Sequence, residues 1–253
     1  AEFFKCAMSP KISLLKTKIS NLSMQETMEM VELAIAENKQ LHHVAVNAAI
    51  LVTLQKDNEL RKIVNSADIV NADGQAVVWA SKFLSAPLKE RVAGPDLMAS
   101  LVELAHRKNY KIYLLGAKDE IVSKLVSIYN EKYNSSIIAG YRNGYFSEAE
   151  ENEIVKDIVN SGAQMLFVAI TSPKKENFLH KHKLTLSSVN FIMGVGGSFD
   201  VFAGKTKRAP LWMQKIGMEW FYRFLQEPKR MWKRYLVGNT KFLFLVLKEK
   251  FKK

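Results

Sequence analysis

Short runs that are apolar at nearly every position, LFVAI at 166–170 and IYLLG at 112–116, alternate along this chain with amphipathic stretches of helical period. A strand can bury both of its faces only where helices cover both sides of its sheet. That is the situation of parallel strands in α/β folds. The other elements fit the same alternation. SMQE at 23–26 is a capping box, in which Ser and Glu satisfy each other's backbone N–H, and it opens a helix to about Asn38. HHVAVN at 42–47 reads as a strand, and Asp57 caps a helix through Ala67. DIVNA at 68–72 is the next strand, with a helix from about Gln75 to Leu84 behind it. Pro95 falls in a first helical turn, where its missing N–H does no harm. KIYLLGA (111–117), SSIIAGY (135–141), MLFVAI (165–170) and NFIMGVG (190–196) supply four more strands. The capping box SEAE at 147–150 and a helix starting near Pro173 lie among them. The expected architecture is a mainly parallel, Rossmann-like sheet sandwiched by helices over residues 1–203.

From residue 204 the character changes. The last 50 residues hold 14 Lys/Arg against 3 Asp/Glu, which is +11 of the chain's net +12. They also hold 10 of the 26 aromatic residues and three of the four tryptophans. Apolar positions 212, 216, 220 and 224 repeat at helical spacing, with 213, 221 and 225 beside them; EPKR at 227–230 and GN at 238–239 break the run. A basic, aromatic helical appendage over 204–253 is expected. So much aromatic surface needs a partner: the protein's own body, a membrane interface or nucleic acid. Within the helix, Glu219 is spaced to pair with Lys215 and Arg223.

Several chemistries find no support. A single cysteine, Cys6, leaves no internal disulfide and no Cys-rich zinc site. Neither GxGxxG nor GxxxxGK[ST] occurs, which disfavours nicotinamide and P-loop enzymes. No apolar run approaches the roughly 20 residues of a membrane span. The opening AEFFKCAMSPK lacks a secretory core, so a cytosolic or peripheral protein is expected. His180 and His182 point to different helix faces and are expected to be solvated. His42 and His43 are expected to frame their strand. No Asp-x-Asp is present to hold a divalent metal on a diphosphate.

Two stretches admit chemistry. In DIVNADGQAVVW (68–79) the lone carboxylate of Asp73 ends a buried strand, where α/β sheets bind ligands; Asp-Gly is equally a plain turn. GVGGSFD (194–200) follows the last strand, and its glycines either admit a phosphate to the backbone or simply make a turn.

DIVNADGQAVVWASKFL, KERVAGPDLM, VAITSPKKENF and the block GVGGSFDVFAGKTKRAPLWMQKIGMEWFYRFLQEPKRMWKRY occur in one order. Together they resemble the WecG/TagA/CpsF family of bacterial glycosyltransferases (glycosyltransferase family 26), over about residues 12 to 245. The resemblance implies an inverting, metal-independent transferase with no cofactor. It would move a sugar, often N-acetylmannosamine or its uronic acid, from a UDP-sugar to a saccharide on a polyprenyl diphosphate. Cell-wall, capsule or exopolysaccharide synthesis at the inner face of the membrane is the setting it implies. Asp73 matches the family's base. Asn47, Arg91, Gly194, Gly196 and Gly197 match groups around the donor. The resemblance also implies that the basic helical tail docks over the pocket and onto the membrane, where Arg223 and Arg230 match arginines for the lipid diphosphate, a task that Lys233 or Arg234 shares. Ala45 stands where Thr is frequent and Lys175 where Gln is, which opens the donor's identity; Lys175 is expected to meet the diphosphate or a charged sugar. No nucleic-acid partner is implied, and a homo-oligomer is left open. A basic module binding membrane or nucleic acid without chemistry is the alternative.

Overall fold

The computed structural model describes residues 10–133 and 137–252, together with all their side chains but those of Arg230, Lys233 and Arg234. Cys6 and the first two positions of SSIIAGY lie outside the described residues.

The chain opens with a hairpin, β1 (Lys11–Leu14) and β2 (Thr17–Ser20), paired antiparallel. Next come α1 (Met24–Ala36), β3 (Leu41–Val46), α2 (Ala48–Leu54), α3 (Asn58–Asn65), β4 (Ile69–Ala72) and α4 (Gln75–Phe83). The centre of the chain supplies α5 (Gly94–Lys108), β5 (Ile112–Gly116), α6 (Asp119–Tyr133) and β6 (Ile138–Arg142). A 3₁₀ turn (Glu148–Glu150) leads into α7 (Glu151–Asn160), followed by β7 (Met165–Ala169), α8 (Lys174–Lys181), a second 3₁₀ turn (Thr185–Ser188) and β8 (Phe191–Gly194). Thereafter the described chain is helical: α9 (Ser198–Phe202), α10 (Leu211–Lys215), α11 (Glu219–Gln226), α12 (Pro228–Trp232), a π turn (Lys233–Val237) and α13 (Gly238–Lys250).

β3 to β8 form one sheet in the order β4-β3-β8-β7-β5-β6, and every pairing is parallel. The strands that read as apolar on both faces are its centre: β5 is buried throughout, and β7 and β8 at all but their last residue. One side of the sheet packs Met165, Phe167 and Phe191 against α1, α5 and α6. The other packs Leu166, Val168 and Ile192 against α7 and α8. Both capping boxes form as the sequence requires, Ser23 with Glu26 and Ser147 with Glu150.

The structure departs from the sequence reading at both ends of the chain and at two places between them. The β1–β2 hairpin turns on Leu15 (φ 48°) and Lys16 (φ 62°), neither a residue that favours positive φ. Tertiary bonds hold the turn: Leu15 N–H donates to Glu249 Oε1 at 3.1 Å, and Gln55 Nε2 donates to the Leu15 carbonyl at 2.7 Å. Helix α2 follows β3 after a single residue, Asn47. At the other end, Phe242 and Val246 of α13 are buried with Leu14, Leu51 and Leu54 in one cluster. The last helix therefore completes the core beside α2. His182 also departs from expectation, because it is buried and bonded to Glu151 Oε2 at 3.0 Å, whereas His180 is exposed as expected.

Candidate active site

In an open parallel sheet the crevice beyond the carboxyl ends of the strands is the natural ligand site, especially where the strand order reverses. Here β3 and β4 run toward one edge, and the chain then crosses to β5 on the other side of β8 and β7. Asn47 and Asp73 are the residues that leave β3 and β4 at this crevice.

Three hydrogen bonds fix Asp73 from the 91–94 segment and from β3. Its N–H donates to the Val46 carbonyl at 2.9 Å and continues the ladder. Its carbonyl accepts from Arg91 Nε at 2.7 Å. Its Oδ1 accepts from Gly94 N–H at 2.9 Å, at the first turn of the 15-residue helix α5. A carboxylate beside the positive end of a helix dipole is electrostatically favoured. Asp73 is thus held both by its backbone and through Oδ1.

Asn47 caps α2: its Oδ1 accepts from Ile50 N–H at 3.2 Å, which leaves the amide nitrogen as its available donor. Gly74 packs close beside Asn47, where a Cβ would stand 3.3 Å from Asn47 Cβ.

A cavity of about 210 Å³ opens over these residues. Asn47, Asp73, Gly74 and Arg91 form its floor, and Glu219, Trp220, Arg223, Tyr235 and Asn239 come down from the C-terminal helices as a lid. The rings of Trp220 and Tyr235 meet at a tilt of 56° with centroids 5.6 Å apart, so aromatic surface from two lid segments meets over the crevice. Arg223 Nε is buried without a hydrogen-bond partner among the described residues. Its Nη2 lies where a Cβ on Gly197 would come within 2.5 Å, so the glycine admits the guanidinium.

Of the residues expected from the sequence, Asp73, Asn47, Arg91 and Arg223 line this one cavity. Gly197 joins it through Arg223. Gly194, Gly196 and Lys175 lie outside its lining. Gly194 is instead the bed of the Lys175 side chain, whose last three atoms would lie within 2.8 Å of an added Cβ. Lys175 Nζ pairs with Glu176 Oε1 at 3.0 Å, both side chains largely shielded from water. The side chains of Arg230, Lys233 and Arg234 lie outside the described residues, although their backbone continues the lid.

Glu219 answers to different partners from those its spacing suggests. Its carboxylate binds Arg91 and Arg208, not its helix neighbour Arg223, and Lys215 belongs to the separate helix α10, which the turn at Gly217 (φ 73°) parts from α11. Arg208 is in turn forked onto Asp96, Nη2 to Oδ2 at 2.8 Å, and that bonding holds its guanidinium above its ordinary pKa. Trp220, Tyr235, Asn239 and Glu219 are not legible as site residues in the sequence, because they meet the crevice only through tertiary packing. Their one sequence signal is the density of aromatics at 220–235.

A match to the sequence model of the Glycosyl transferase WecG/TagA/CpsF family spans residues 12–253. The chain belongs to this family. An N-acetylglucosaminyldiphosphoundecaprenol N-acetyl-beta-D-mannosaminyltransferase of Bacillus subtilis (strain 168) is 37% identical over 204 residues, 81% of this chain and 78% of the relative. A protein of the same description from Bacillus spizizenii is 34% identical over 212 residues, 84% of this chain and 80% of the relative. The protein is accordingly a WecG/TagA/CpsF glycosyltransferase, and the crevice at the ends of β3 and β4 is its candidate active site. Among the described residues no three His, Cys, Asp or Glu side chains gather as a metal cluster, and no helix is long and apolar enough to cross a membrane.

Proposed function

We propose that this glycosyltransferase transfers an N-acetylmannosamine-type sugar from a UDP-sugar to a saccharide carried on a polyprenyl diphosphate, in cell-wall polymer synthesis at the cytosolic membrane surface. The activity for which the two relatives are named supports the acceptor and the sugar. The observation that carries the chemistry is the Asp73 carboxylate, moored through Oδ1 at the floor of a lidded cavity.

The acceptor hydroxyl attacks the anomeric carbon from the face opposite the leaving diphosphate, and the configuration inverts. Asp73 takes the hydroxyl proton as the new C–O bond forms, and the anomeric C–O bond breaks to release UDP. A carboxylate is a weak base, so the step depends on placing a carboxylate oxygen against a hydroxyl that becomes acidic near the transition state. Negative charge gathers on the departing diphosphate, and Arg223 supplies a buried N–H donor to it. We place Asn47 on the donor sugar through its amide nitrogen. Lys175 is already neutralised by Glu176, which favours an uncharged N-acetylhexosamine over a uronic acid.

A panel of UDP-sugars with a synthetic polyprenyl-diphosphate acceptor tests the reading. UDP-N-acetylmannosamine is expected to be turned over fastest. Asp73→Asn keeps the shape and both backbone bonds, so it is expected to bind UDP as wild type and to lose transfer by roughly 100-fold or more. Wild-type transfer by Asp73→Asn would return Asp73 to a plain turn.

A further inference from the structure

The cavity of about 210 Å³ is below the roughly 300 Å³ at which pockets for drug-sized ligands begin, so a sugar nucleotide overfills it with the lid where it stands. Arg91 meets the C-terminal segment twice, through a long bond from Nη1 to the Gln214 carbonyl at 3.5 Å and through the carboxylate of Glu219, its one charged partner there. Glu219, the first residue of α11, accepts from Arg91 Nη2 on one oxygen and from Arg208 Nε at 3.0 Å on the other. Arg91 extends the connection inward. Its Nε binds the Asp73 carbonyl at 2.7 Å, while the next residues donate Val92 N–H to the Ala72 carbonyl (3.0 Å) and Gly94 N–H to Asp73 Oδ1 (2.9 Å). The segment 91–94 is therefore a sleeve around the Asp73 turn, and Glu219 grips that sleeve from the lid. Arg91 is 15% and Glu219 25% exposed, so the pair is shielded enough for its charge to matter.

We infer that Glu219 is a positioning residue: lid closure delivers its carboxylate to Arg91, and Arg91, so held, fixes the Asp73 backbone and aims the carboxylate at the acceptor hydroxyl. This rests on the reading of Asp73 as the base. Arg91 is then a strut between lid and base before it is a ligand of the diphosphate. Chemistry is coupled to closure because the base is fully braced only beneath a closed lid.

Steady-state kinetics with UDP-N-acetylmannosamine and the synthetic acceptor, alongside UDP binding and thermal melting, test the inference on the full chain. Glu219→Gln keeps the shape but removes the charge. Its kcat is expected to fall roughly 10- to 100-fold, with the Kd for UDP within about twofold of wild type. Glu219→Asp retains the charge on a shorter arm and is expected to lie between the two. The double variant with Arg91→Gln is expected to lose less than the two single losses combined, because the Glu219–Arg91 contact is common to both. Wild-type kcat in a folded Glu219→Gln, or losses that add to those of Arg91→Gln, overturns the inference. Should Glu219→Gln fold poorly, Glu219→Asp decides, and a wild-type kcat there is equally fatal. Transfer that survives Asp73→Asn sinks the base itself; an inactive Asp73→Asn beside fully active Glu219 variants sinks the strut alone.

Discussion

His42 and His43 are buried side by side near the start of β3, and their surroundings make the fold sensitive to acid. Burial is the main cause for both, with the Lys175 charge adding to it, and their pKa values are pushed down from 6.5 to about 4. Asn71 Oδ1 lies 2.8 Å from His43 Nε2 and opposes the shift only in part. Both rings are therefore neutral in the folded protein at pH 5, where free imidazole is mostly protonated. As pH falls from 6.5 toward 4, the unfolded chain binds protons that the native state refuses, so stability declines through that window and levels off below it. Each histidine contributes about 1.4 kcal/mol per pH unit in mid-window. Urea unfolding at pH 7 and pH 5 is expected to show the loss, and His42→Gln is expected to halve the slope. An unchanged midpoint between the two values rules the histidines out. The same residue scale shows what a short motif conceals: Lys175 reads as a cation for the substrate, yet a buried carboxylate one residue along already holds it.

Among the elements, α13 carries most of what was unexpected. Its sequence, GNTKFLFLVLKEK, reads as a basic tail closing after a Gly-Asn break. In the fold Phe242 and Val246 enter the same apolar cluster as Leu51 and Leu54 of α2, and Glu249 caps the N–H of Leu15 in the hairpin turn. Phe242→Ala removes a buried ring from this cluster and is expected to cost about 3–5 kcal/mol in denaturant unfolding. A loss under about 1 kcal/mol would mean that the helix merely rests on the surface. The central strands are legible in the sequence because β5, β7 and β8 are apolar on both faces, a pattern that a helix-covered parallel sheet requires and a half-solvated sheet forbids. The β1–β2 hairpin is concealed because Leu15-Lys16 is not turn chemistry; distant bonds impose the positive φ there. Helix α2 is concealed because AAILVTL continues the apolar run of β3, and only Asn47 marks the cap. In the candidate site, Asp73 can be read from its strand-end position as either a ligand group or a plain Asp-Gly turn, and Asn47 can be read through the family resemblance. Glu219 and Trp220 cannot, since local spacing assigns Glu219 to its helix neighbours, and the pairing with Arg91 spans 128 positions.

At the scale of the whole molecule, charge and apolar exposure coincide. The last 50 residues carry +11, and the large apolar side chains exposed there include Trp212, Ile216, Leu225, Leu236, Leu243, Phe244 and Phe251. Exposed apolar side chains in this number, beside so much positive charge, suit an interaction surface. Its basic companions Lys215, Lys229, Lys241 and Lys248 are exposed as well, which suits an anionic lipid surface, where each cation contributes about 1 kcal/mol. A lipid-linked acceptor, as proposed above, would reach the cavity beneath this same lid. Deleting the lid outright is a poor test, because α13 would leave with it and uncover the core. Point changes separate the two roles: Trp212→Gln with Ile216→Gln and Phe244→Gln strips apolar area that already faces water. This variant is expected to melt as wild type and to co-sediment with phosphatidylglycerol vesicles at least about fivefold less, since each large apolar side chain withdrawn from water contributes roughly 1.5–3 kcal/mol. Charge and apolar contact then part company with salt: raising the ionic strength weakens the wild type through its cations, and the glutamine variant releases at lower salt. Undiminished sedimentation of the folded variant would mean that lipid is not what covers this face.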